Sequence, residues 1–518
     1  MRLGKSLIAV IVTAVVVVLA AVTGAVVWSS ANGTVDGQKP NIIYFLADDL
    51  SADLLPYMKT VSGLADGGTT FNDYYVDNSL CCPSRASMFT GKYPHNDGVL
   101  SNTKADHGGY PYFKDQEDDT YAKAIHDTGD YRTGYFGKYL NEYPMTKDYK
   151  VPPGWDEWDV ANGGGYTESR YKLSHYVAGK SKSIGDGNGR YLVDLLGDRA
   201  AKFVKRSQGS DKSFFLQVAP FSTHSKVKGK GPRFPPAPRD RPSKRHPDGD
   251  CGKADCADLD EAKQPAFDED TGDKPSWVRD EPLTGQEVQA VRDDFRNRVR
   301  MAQSLDEMVH KVIGSLSDSE RDNTYIMFGS DNGFHLGQHR LLRGKESPYD
   351  TDIRVPFIVA RPSSGGNKSL SVDQIVQNVD IYPTLVDMAN GDDAGPTNRD
   401  GRSMLGLING EHPDDWRDAA LVEHYKPDPK HRADDPDNDR GNATPPTYDA
   451  LRTADQLLVH YRGVSTLEYY DLASDPHEEN NQPDDPHGPG LDKALSALAS
   501  CGKHGHPSCW DAAHLPHS

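Results

Sequence analysis

The sequence predicts an α/β layered fold: a large, mainly parallel central sheet flanked by helices, followed by a smaller C-terminal domain with an antiparallel sheet. The first observation is a set of continuous apolar runs, typical of strands buried on both faces of a parallel sheet, at residues 41–47, 213–220 and 324–328. The second is that amphipathic helical patterns separate these runs, as at residues 191–207. The third is that short strand candidates follow one another closely after residue 450.

The alternation of strands and helices continues through most of the chain. The predicted elements are, in order, a strand at 41–47, a helix at 120–127, a strand at 131–139, a helix at 191–207, a strand at 213–220, a helix at 285–316, strands at 324–328 and 355–360, a helix opening at Asp380, and an antiparallel meander at 450–453, 457–461 and 467–471. Composition changes between residues 390 and 411. The predicted domains are therefore a large one at 38–410 and a smaller one at 411–518.

One long stretch, residues 226–282, lacks apolar periodicity and predicts an excursion over the surface. Its first part is basic, with eight Lys or Arg between Lys226 and Arg245. This part fits either the entrance for an anionic substrate or a solvated loop. The formal net charge of −19 argues against nucleic-acid binding, because phosphate contacts require a basic face, but it leaves room for an anionic substrate where basic residues cluster.

The first 35 residues form a separate targeting segment. Arg2 and Lys5 precede an uncharged run, rich in Val, Ala, Leu and Ile, from Ser6 to Trp28. Small residues at 29–31 fit a cleavage site, so a cleaved signal peptide and an uncleaved membrane anchor both agree with the pattern. In both cases the rest of the chain is exported. We therefore expect an extracellular or cell-surface protein that contacts the membrane only through this segment.

Six cysteines suit an oxidising compartment. Close spacing in polar loops predicts two small disulfides, Cys251 with Cys256 and Cys501 with Cys509. A zinc site is the alternative for the second pair, because His504 and His506 lie between its cysteines. Cys81 and Cys82 are left over, which permits one modified cysteine and one spare thiol.

Residues 81–91 read CCPSRASMFTG and predict a short helix. Pro83 suits the first turn, because its missing N–H costs nothing there, and Gly91 is a typical C-terminal stop. Cys81 then lies at the N-terminal end, where unpaired N–H groups and the helix dipole attract an anion, with Arg85 one turn further in. A buried cysteine pair that caps the helix is the alternative interpretation.

Polar side chains also follow the predicted strands. They are Asp48 and Asp49 after the first strand, Lys138 at the end of the strand at 131–139, His224 after the strand at 213–220, Asp331 and Asn332 after the strand at 324–328, and Lys345 further along. Ligand sites in parallel sheets lie beyond the carboxyl ends of the strands, so the two Asp are placed to hold a cation. A turn for the Asp pair, a hairpin for Asn-Gly and a solvated lysine are the simpler alternatives.

The run CCPSR at 81–85, followed by TGK at 90–92, resembles the signature of the type I sulfatases. Further matches are GKYLNEY at 137–143, the run at 333–356, DIYPTL at 380–385, DGRS at 400–403, and the tail at 470–476. The resemblance covers nearly the whole mature chain and implies an alkaline-phosphatase-like fold. CCPSRAS, TGKYPHN and GKYLNEY are most similar to N-acetylglucosamine-6-sulfatases and heparan endosulfatases.

The resemblance implies that a formylglycine-generating enzyme oxidises Cys81 to formylglycine (3-oxoalanine). It also implies a divalent cation, usually calcium, held together with an oxygen from residue 81 by Asp48, Asp49, Asp331 and Asn332. Such oxygen donors suit calcium or magnesium and not zinc. The basic residues that match the family's catalytic residues by motif context are Arg85, Lys138, His224 and Lys345.

The implied reaction begins at the hydrated aldehyde, which has two geminal hydroxyl groups. One attacks sulfur, and the other allows the aldehyde to re-form as sulfate leaves. Arg85, Lys138 and Lys345 neutralise charge on the sulfuryl oxygens, and His224, with Lys345, protonates the leaving alcohol.

One departure from many arylsulfatases concerns the base of the final step. They carry a histidine two residues after the matched lysine, whereas this chain has Leu140. The subgroup most similar in motifs also reads GKYLN, so the departure does not indicate inactivity. His95 and His335 are both candidates for the base.

We therefore expect an exported, calcium-dependent enzyme that hydrolyses a sulfate ester on a sulfated sugar such as glucosamine 6-sulfate. One alternative is a phosphoesterase or phosphonate hydrolase on the same fold. Another is a surface glycan-binding protein in which Cys81 stays unconverted and inactive.

Overall fold

The structure is a computed structural model, described here for residues 39–146, 149–161, 163–187, 189–226, 231–244, 246–278, 281–363, 368–391, 398–431, 444–463, 466–485, 488–503 and 505–515. The predicted targeting segment at 1–35 lies outside these ranges. Within them, none of the helices combines the length and the apolar character that crossing a bilayer requires.

The described strands are β1 (Asn41–Ala47), β2 (Thr69–Phe71), β3 (Tyr74–Tyr75), β4 (Tyr131–Gly137), β5 (Glu157–Val160), β6 (Lys172–Val177), β7 (Ser181–Asp186), β8 (Ser213–Ala219), β9 (Thr324–Ser330), β10 (Phe357–Ala360), β11 (Leu370–Val372), β12 (Val376–Gln377), β13 (Ala419–His424), β14 (Tyr448–Thr453), β15 (Gln456–Tyr461) and β16 (Leu467–Asp471).

The described α-helices are α1 (Lys59–Ser62), α2 (Cys81–Thr90), α3 (Pro94–Asp97), α4 (Gly109–Phe113), α5 (Tyr121–Asp127), α6 (Leu192–Ser207), α7 (Gly285–Ile313), α8 (Asp318–Asp322), α9 (Asp350–Ile353), α10 (Ile381–Asn390), α11 (Leu405–Ile408), α12 (Gly488–Leu498) and α13 (Cys509–Ala512). Short 3-10 helices lie at Ala52–Tyr57, Gly63–Ala65, Lys104–Asp106, Lys114–Asp119, Gly163–Thr167, Glu261–Lys263 and Asn378–Asp380.

The central sheet has ten strands in the order β11-β2-β10-β9-β1-β8-β4-β5-β6-β7. Its middle five strands, β9 to β5 in this order, run parallel to one another. Antiparallel pairings of β10 with β9 and of β6 with β5 begin the two flanks. The predicted large, mainly parallel centre is therefore confirmed, within a sheet that is mixed as a whole.

Strand β1 shows why this sheet is covered by helices on both faces. Alternate side chains enter two different cores: Ile42 and Tyr44 join one, and Ile43 and Phe45 join the other. Helices α2, α5 and α10 contribute to the first core, and α6 and α7 to the second. Burial of both faces explains the continuous apolar run in the sequence.

The C-terminal sheet has the antiparallel order β13-β14-β15-β16. One of its faces, with Val422 and Ala450, belongs to the first core of the central sheet, and the other, with Leu421 and Leu451, packs with α12 and α13. The antiparallel meander is confirmed, with β13 as an additional strand. Because a core is shared across it, the domain boundary at residue 410 stays a prediction.

The strands that the sequence did not predict lie mostly toward the sheet edges. β6 and β7 form a hairpin in which Leu173 and Ser174 are buried and most other residues are partly or fully exposed, and β2 and β11 are three residues long. Such segments lack the apolar run on which strand prediction depends. The excursion at 226–282 is confirmed over its described residues, where the 3-10 helix at Glu261–Lys263 is the regular element.

Candidate active site

The polar residues predicted at strand ends meet at one edge of the central sheet. Strands β9, β1, β8 and β4 are neighbours in this order and run parallel. Their carboxyl ends therefore lie side by side. The residues that follow these strands are Asp331 and Asn332 (β9), Asp48 and Asp49 (β1), His224 (β8) and Lys138 (β4).

Helix α2 brings Cys81 to the same edge. The helix begins at Cys81 and ends before Gly91, whose φ of 66° lies in the left-handed region that favours glycine, so the predicted helix and its stop are confirmed. Cys81 is fully buried. Its Sγ lies 3.2 Å from Asp48 Oδ1 and 2.7 Å from Lys345 Nζ. The cysteine thus lies between a carboxylate and an amine.

Two lysines neutralise the Asp pair. Lys138 Nζ donates to both oxygens of Asp48, at 2.8 Å each, and Lys345 Nζ lies 2.6 Å from Asp49 Oδ1. Although burial favours the neutral amine, Asp48 raises the pKa of Lys138 well above its usual value. Lys138 is therefore charged at neutral pH, and it stays fixed at the site by the charge of its partner.

Arg85 forms the third ion pair, with Asp331. Its Nε lies 2.7 Å from Asp331 Oδ2, and a second nitrogen donates to the carbonyl of Lys138 at 2.9 Å. Burial alone would raise the pKa of Asp331, but the positive charges of Arg85, Lys138 and Lys345 lower it to about 2. Asp331 is therefore ionised throughout the neutral range, and Arg85 ties α2 to β9.

Several oxygens of the cluster are suited to a hard cation. Asp49 Oδ2 and Asn332 Oδ1 are buried and have no hydrogen-bond partner within the described part of the chain. Asp48, Asp49, Cys81 and His224 each place a ligand-type atom within 4.8 Å of the others. Carboxylate and amide oxygens are preferred by calcium and magnesium, so the residues present fit such an ion.

The predicted metal ligands are not equivalent in this arrangement. Asp331 gives one oxygen to Arg85 and the other to the backbone N–H of Asp49, at 3.2 Å. His224 instead joins the group around Cys81, with Nε2 3.4 Å from Asp49 Oδ2. The roles of the predicted site residues stay predictions, but the structure brings them together in one cluster.

Cys82 has a different environment from its neighbour. It is buried in the apolar core beside the central sheet, and its backbone N–H donates to Asn102 Oδ1 at 3.0 Å. Burial raises the pKa of its thiol to about 12. Such a thiol carries almost no thiolate at neutral pH, which is typical of a structural cysteine.

Arg298 and Tyr166, which were not predicted from the sequence, also support the cluster. Asp49 has a φ of 58°, and the buried Arg298 of α7 donates to its carbonyl oxygen at 2.7 Å. Tyr166 places its ring 4.5 Å from that of His224 and 5.1 Å from Lys138 Nζ, measured to the ring centroid. Arg298 could have been found from the sequence, because it is a charged residue on the apolar face of a long helix. Tyr166 lies in the Gly-rich 3-10 helix at Gly163–Thr167, where no such pattern exists.

The two histidines proposed as the final base have partners elsewhere. His95 Nδ1 lies 2.8 Å from Glu423 Oε2, and its Nε2 lies 3.1 Å from the carbonyl of Cys501. His335 Nδ1 lies 2.9 Å from Asp352 Oδ2. His95 therefore joins the catalytic part to the C-terminal part of the chain, and the assignment of the base stays a prediction.

Both predicted disulfides are present, Cys251–Cys256 and Cys501–Cys509. The second bond occupies both thiols that the alternative zinc site required. Of the two histidines in that alternative, His504 lies outside the described residues. The pairing leaves Cys81 and Cys82 as the free cysteines among the described residues, in agreement with the sequence analysis.

Comparison with solved structures agrees with the fold. A structure solved in complex with its substrate D-glucosamine-2-N,6-O-disulfate has a TM-score of 0.64 and 22% identity, over 89% of this chain and 97% of that one. The phosphonate monoester hydrolase of Silicibacter pomeroyi has a TM-score of 0.61 and 19% identity, over 89% of this chain and 94% of that one. The fold alone therefore does not distinguish a sulfate from a phosphonate ester.

Sequence relatives do make that distinction. The N-acetylglucosamine-6-sulfatase of Capra hircus is 30% identical over 86% of this chain and 80% of that protein. The extracellular sulfatase SULF-1 homologue of Drosophila melanogaster is 34% identical over 74% of this chain and 33% of that protein. The sulfatase family profile matches residues 40–391, and the profile of the N-sulphoglucosamine sulphohydrolase C-terminal region matches residues 337–499. The chain belongs to the sulfatase family and is a sulfuric ester hydrolase.

Proposed function

We propose that the protein removes sulfate from a sulfated sugar of the glucosamine 6-sulfate class, using formylglycine at position 81 and a bound divalent cation. The observation that carries this proposal is the position of Cys81, whose sulfur lies between Asp48 and Lys345 at the carboxyl edge of the sheet. The names of the goat relative and of the substrate in the similar solved structure support the sugar class.

Asp48, Asp49, Asp331 and Asn332 are the proposed ligands of the cation, most suitably Ca²⁺, with Mg²⁺ as the alternative. Asp49 Oδ2 and Asn332 Oδ1, which accept no hydrogen bond from the described residues, support this assignment. When bound, the cation supplies positive charge toward the sulfuryl oxygens and polarises the nucleophile. The acids and the amide hold it, and their burial keeps bulk water from competing for the same ligands.

The basic residues have separate tasks in this proposal. Lys138 and Lys345 place two ammonium groups beside position 81, where they stabilise negative charge on the sulfuryl oxygens. Arg85 adds a third positive charge and is fixed by Asp331 and by the carbonyl of Lys138. Because these groups are already oriented and buried, little reorganisation is needed as charge develops.

His224 is the proposed acid for the leaving alcohol. Its Nδ1 donates to the carbonyl of Ser225 at 2.5 Å, which turns Nε2 toward Asp49. In the proposed step, Nε2–H is donated to the sugar oxygen as the S–O bond breaks. Overall, one water is consumed and the products are the sugar alcohol and sulfate.

The first experiment is a peptide mass spectrum across residue 81, combined with assays on the same protein produced together with a formylglycine-generating enzyme. We expect an aldehyde or its hydrate at position 81 and sulfate release from N-acetylglucosamine 6-sulfate. N-acetylglucosamine 6-phosphate is the matched control substrate, and we expect at most slow turnover of it. Faster release of phosphate than of sulfate would replace the proposal by the phosphoesterase alternative.

Two other outcomes are also decisive. An unmodified thiol at position 81, with a second sulfatase correctly converted in the same cells, would overturn the proposed nucleophile. Complete conversion with tight binding of sulfated sugars but no sulfate release would favour the glycan-binding alternative. Binding is measured by calorimetry on the same preparation, so the two results refer to the same molecules.

We also propose that the protein is exported. The named extracellular relative and the two disulfides support this location, since disulfides persist in oxidising compartments. Mass spectrometry of the N-terminus from the native host distinguishes a cleaved signal peptide from a retained anchor. Intact protein in the cytoplasm, with both pairs reduced, would contradict export.

A further inference from the structure

Arg298 of helix α7 is a fully buried arginine that makes few hydrogen bonds. One of its nitrogens, Nη2, donates to the carbonyl oxygen of Asp49 at 2.7 Å and to Ser51 Oγ at 2.9 Å. Its other two nitrogens, Nε and Nη1, have no hydrogen-bond partner among the described residues. Burial lowers the pKa of this guanidinium, although nearby acids, Asp53 foremost, act in the opposite direction. A buried charge that is so incompletely paired destabilises a fold, so its presence indicates a role other than stability.

Arg298 contacts both of the segments that carry the proposed cation ligands. The carbonyl of Asp49 belongs to the segment that follows β1. The guanidinium carbon also lies 4.5 Å from the centroid of the Phe334 ring, in the segment after β9 and two residues beyond Asn332. The centroid of the Phe234 ring, from the excursion, is 5.4 Å from the same carbon. One rigid planar group therefore touches the segments after β1 and β9, and it can fix one relative to the other.

The backbone of Asp49 has a conformation that depends on such contacts. Its φ of 58° lies in the left-handed region, which costs a residue other than glycine about 1 kcal/mol. The N–H of Asp49 donates to Asp331 Oδ1 at 3.2 Å, and its carbonyl accepts from Thr223 Oγ1 at 3.1 Å as well as from Arg298. The bond from Arg298 is the shortest of the three and has a charged donor, which makes it the strongest. Loss of Arg298 should therefore allow Asp49 to relax toward a more common backbone conformation.

The side chain of Asp49 in turn orients that of Asn332. Asn332 Nδ2 donates to Asp49 Oδ1 at 2.7 Å. Because Nδ2 and Oδ1 of an amide are bonded to the same planar carbon, this hydrogen bond also determines where Asn332 Oδ1 points. Asp49 Oδ2 and Asn332 Oδ1 are the buried oxygens that accept no hydrogen bond from the described residues. A shift of the Asp49 backbone would therefore move both oxygens together.

We propose that Arg298 is a positioning residue for the cation site: it fixes the Asp49 backbone against the segment after β9, so that Asp49 Oδ2 and Asn332 Oδ1 face the same ion. This inference rests on the proposed function, because it takes these oxygens as ligands of a cation. Arg298 donates to the backbone of Asp49 and not to its carboxylate, so it leaves both ligand oxygens available. Removal of a group that orients metal ligands typically weakens metal binding 10- to 100-fold.

The test compares Ca²⁺ binding by Arg298→Met and Arg300→Met. Arg300 is the matched control, because it is 6% exposed, lies on the same helix and also donates to a backbone carbonyl, that of Asp248 in the excursion. Calorimetric titration of the chelator-treated proteins should show about tenfold weaker Ca²⁺ binding for Arg298→Met and an unchanged affinity for Arg300→Met. An unchanged affinity in Arg298→Met would overturn the inference. An equal fall in both variants would overturn it too, because it would reflect a general loss of stability, which urea unfolding measures on the same preparations.

A second variant keeps the test decisive if Arg298→Met does not fold. Arg298→Lys keeps the positive charge but lacks the planar group that lies over the Phe334 ring, so Ca²⁺ binding should weaken about threefold. An affinity equal to that of the unsubstituted protein would overturn the role of Arg298.

The same titrations separate failure of this inference from failure of the proposed function. Ca²⁺ binding that does not respond to the Arg298 substitutions would overturn the positioning role alone and leave the proposed cation in place. If the unsubstituted protein bound neither Ca²⁺ nor Mg²⁺, the proposed cation and the role of Arg298 would both be wrong. Because calorimetry detects binding without turnover, these outcomes do not depend on conversion of Cys81 or on the choice of substrate.

Discussion

This protein has two clusters of charged residues in its interior that resemble each other in their ion pairs. They differ in whether all of their carboxylate and amide oxygens accept hydrogen bonds. In the catalytic cluster, Asp48 lies beside Cys81, and one oxygen each of Asp49 and Asn332 accepts no hydrogen bond from the described residues. The second cluster joins α9 to the C-terminal sheet. There Arg452 donates to both oxygens of Asp350, at 2.9 and 3.0 Å.

The second cluster is satisfied throughout its centre. Glu468 accepts hydrogen bonds from the hydroxyls of Tyr349, Tyr461 and Tyr470. Each carboxylate oxygen of Glu468 thus has a donor, and no nucleophile is among these contacts. Burial and ion pairing are therefore common to a structural junction and to a catalytic centre. The distinguishing features are unpartnered oxygens and a nucleophile placed among acids and amines.

The largest expected effect is that of Cys81→Ala on catalysis. Removal of the nucleophile should lower kcat by at least about 10³-fold, because the remaining charges have no group to deliver to sulfur. The melting temperature should stay close to that of the unsubstituted protein, since position 81 begins helix α2 and alanine favours the helical conformation. Sulfate release and thermal unfolding are measured on one preparation. A fully active variant would exclude Cys81 as the nucleophile.

The next largest effect is expected for the stability of an Arg452→Ala variant in the second cluster. Arg452→Ala removes the closest partner of the partly buried Asp350, which keeps Arg354 at 3.6 Å, and should lower the free energy of unfolding by about 2 kcal/mol. Activity per folded molecule should not change. Arg462→Ala is the control, because Arg462 also donates to both oxygens of one carboxylate, Asp449, but is 41% exposed. Its cost should stay below about 1 kcal/mol in urea unfolding. Equal costs would show that burial does not set the strength of these pairs.

Loss of a proposed metal ligand should have an intermediate effect. Asn332→Ala removes one unpartnered oxygen and should raise the Ca²⁺ concentration for half-maximal binding by about 10- to 100-fold. Calorimetric titration of the chelator-treated protein measures this directly, and activity against Ca²⁺ concentration gives a second readout. Asn72→Ala, at an exposed position, is the control. Unchanged Ca²⁺ affinity in Asn332→Ala would remove this residue from the ligand set.

The smallest effect is expected for Cys82→Ala. This thiol packs in the apolar core, so its loss should cost about 1 kcal/mol of stability and leave kcat within about twofold. The measurement is the same pair of assays as for Cys81→Ala. If Cys82→Ala abolished turnover while Cys81→Ala did not, the assignments of the two cysteines would be exchanged.

The sequence by itself determined much of the central sheet and the positions of the site residues along the chain. The apolar run at Asn41–Ala47 and the stop at Gly91 follow from local patterns: burial on both faces removes the polar alternation, and a left-handed residue ends a helix. Because parallel strands end at a common edge, the Asp pair after β1 and the Asp-Asn pair after β9 were predicted to meet there. The motif CCPSR and its resemblance to the sulfatases then assigned the chemistry.

Tertiary structure decided which side chains actually touch. Lys345 lies in a loop, and its contact with Cys81 joins residues that are 264 positions apart. His95 lies in the motif TGKYPHN, which resembles the sulfatases, yet its ring pairs with Glu423 of the C-terminal sheet. The shared core of the two predicted domains is equally non-local. Periodicity and capping report the surroundings of a few neighbouring residues, whereas these contacts depend on how distant segments pack, and only the folded chain defines that packing.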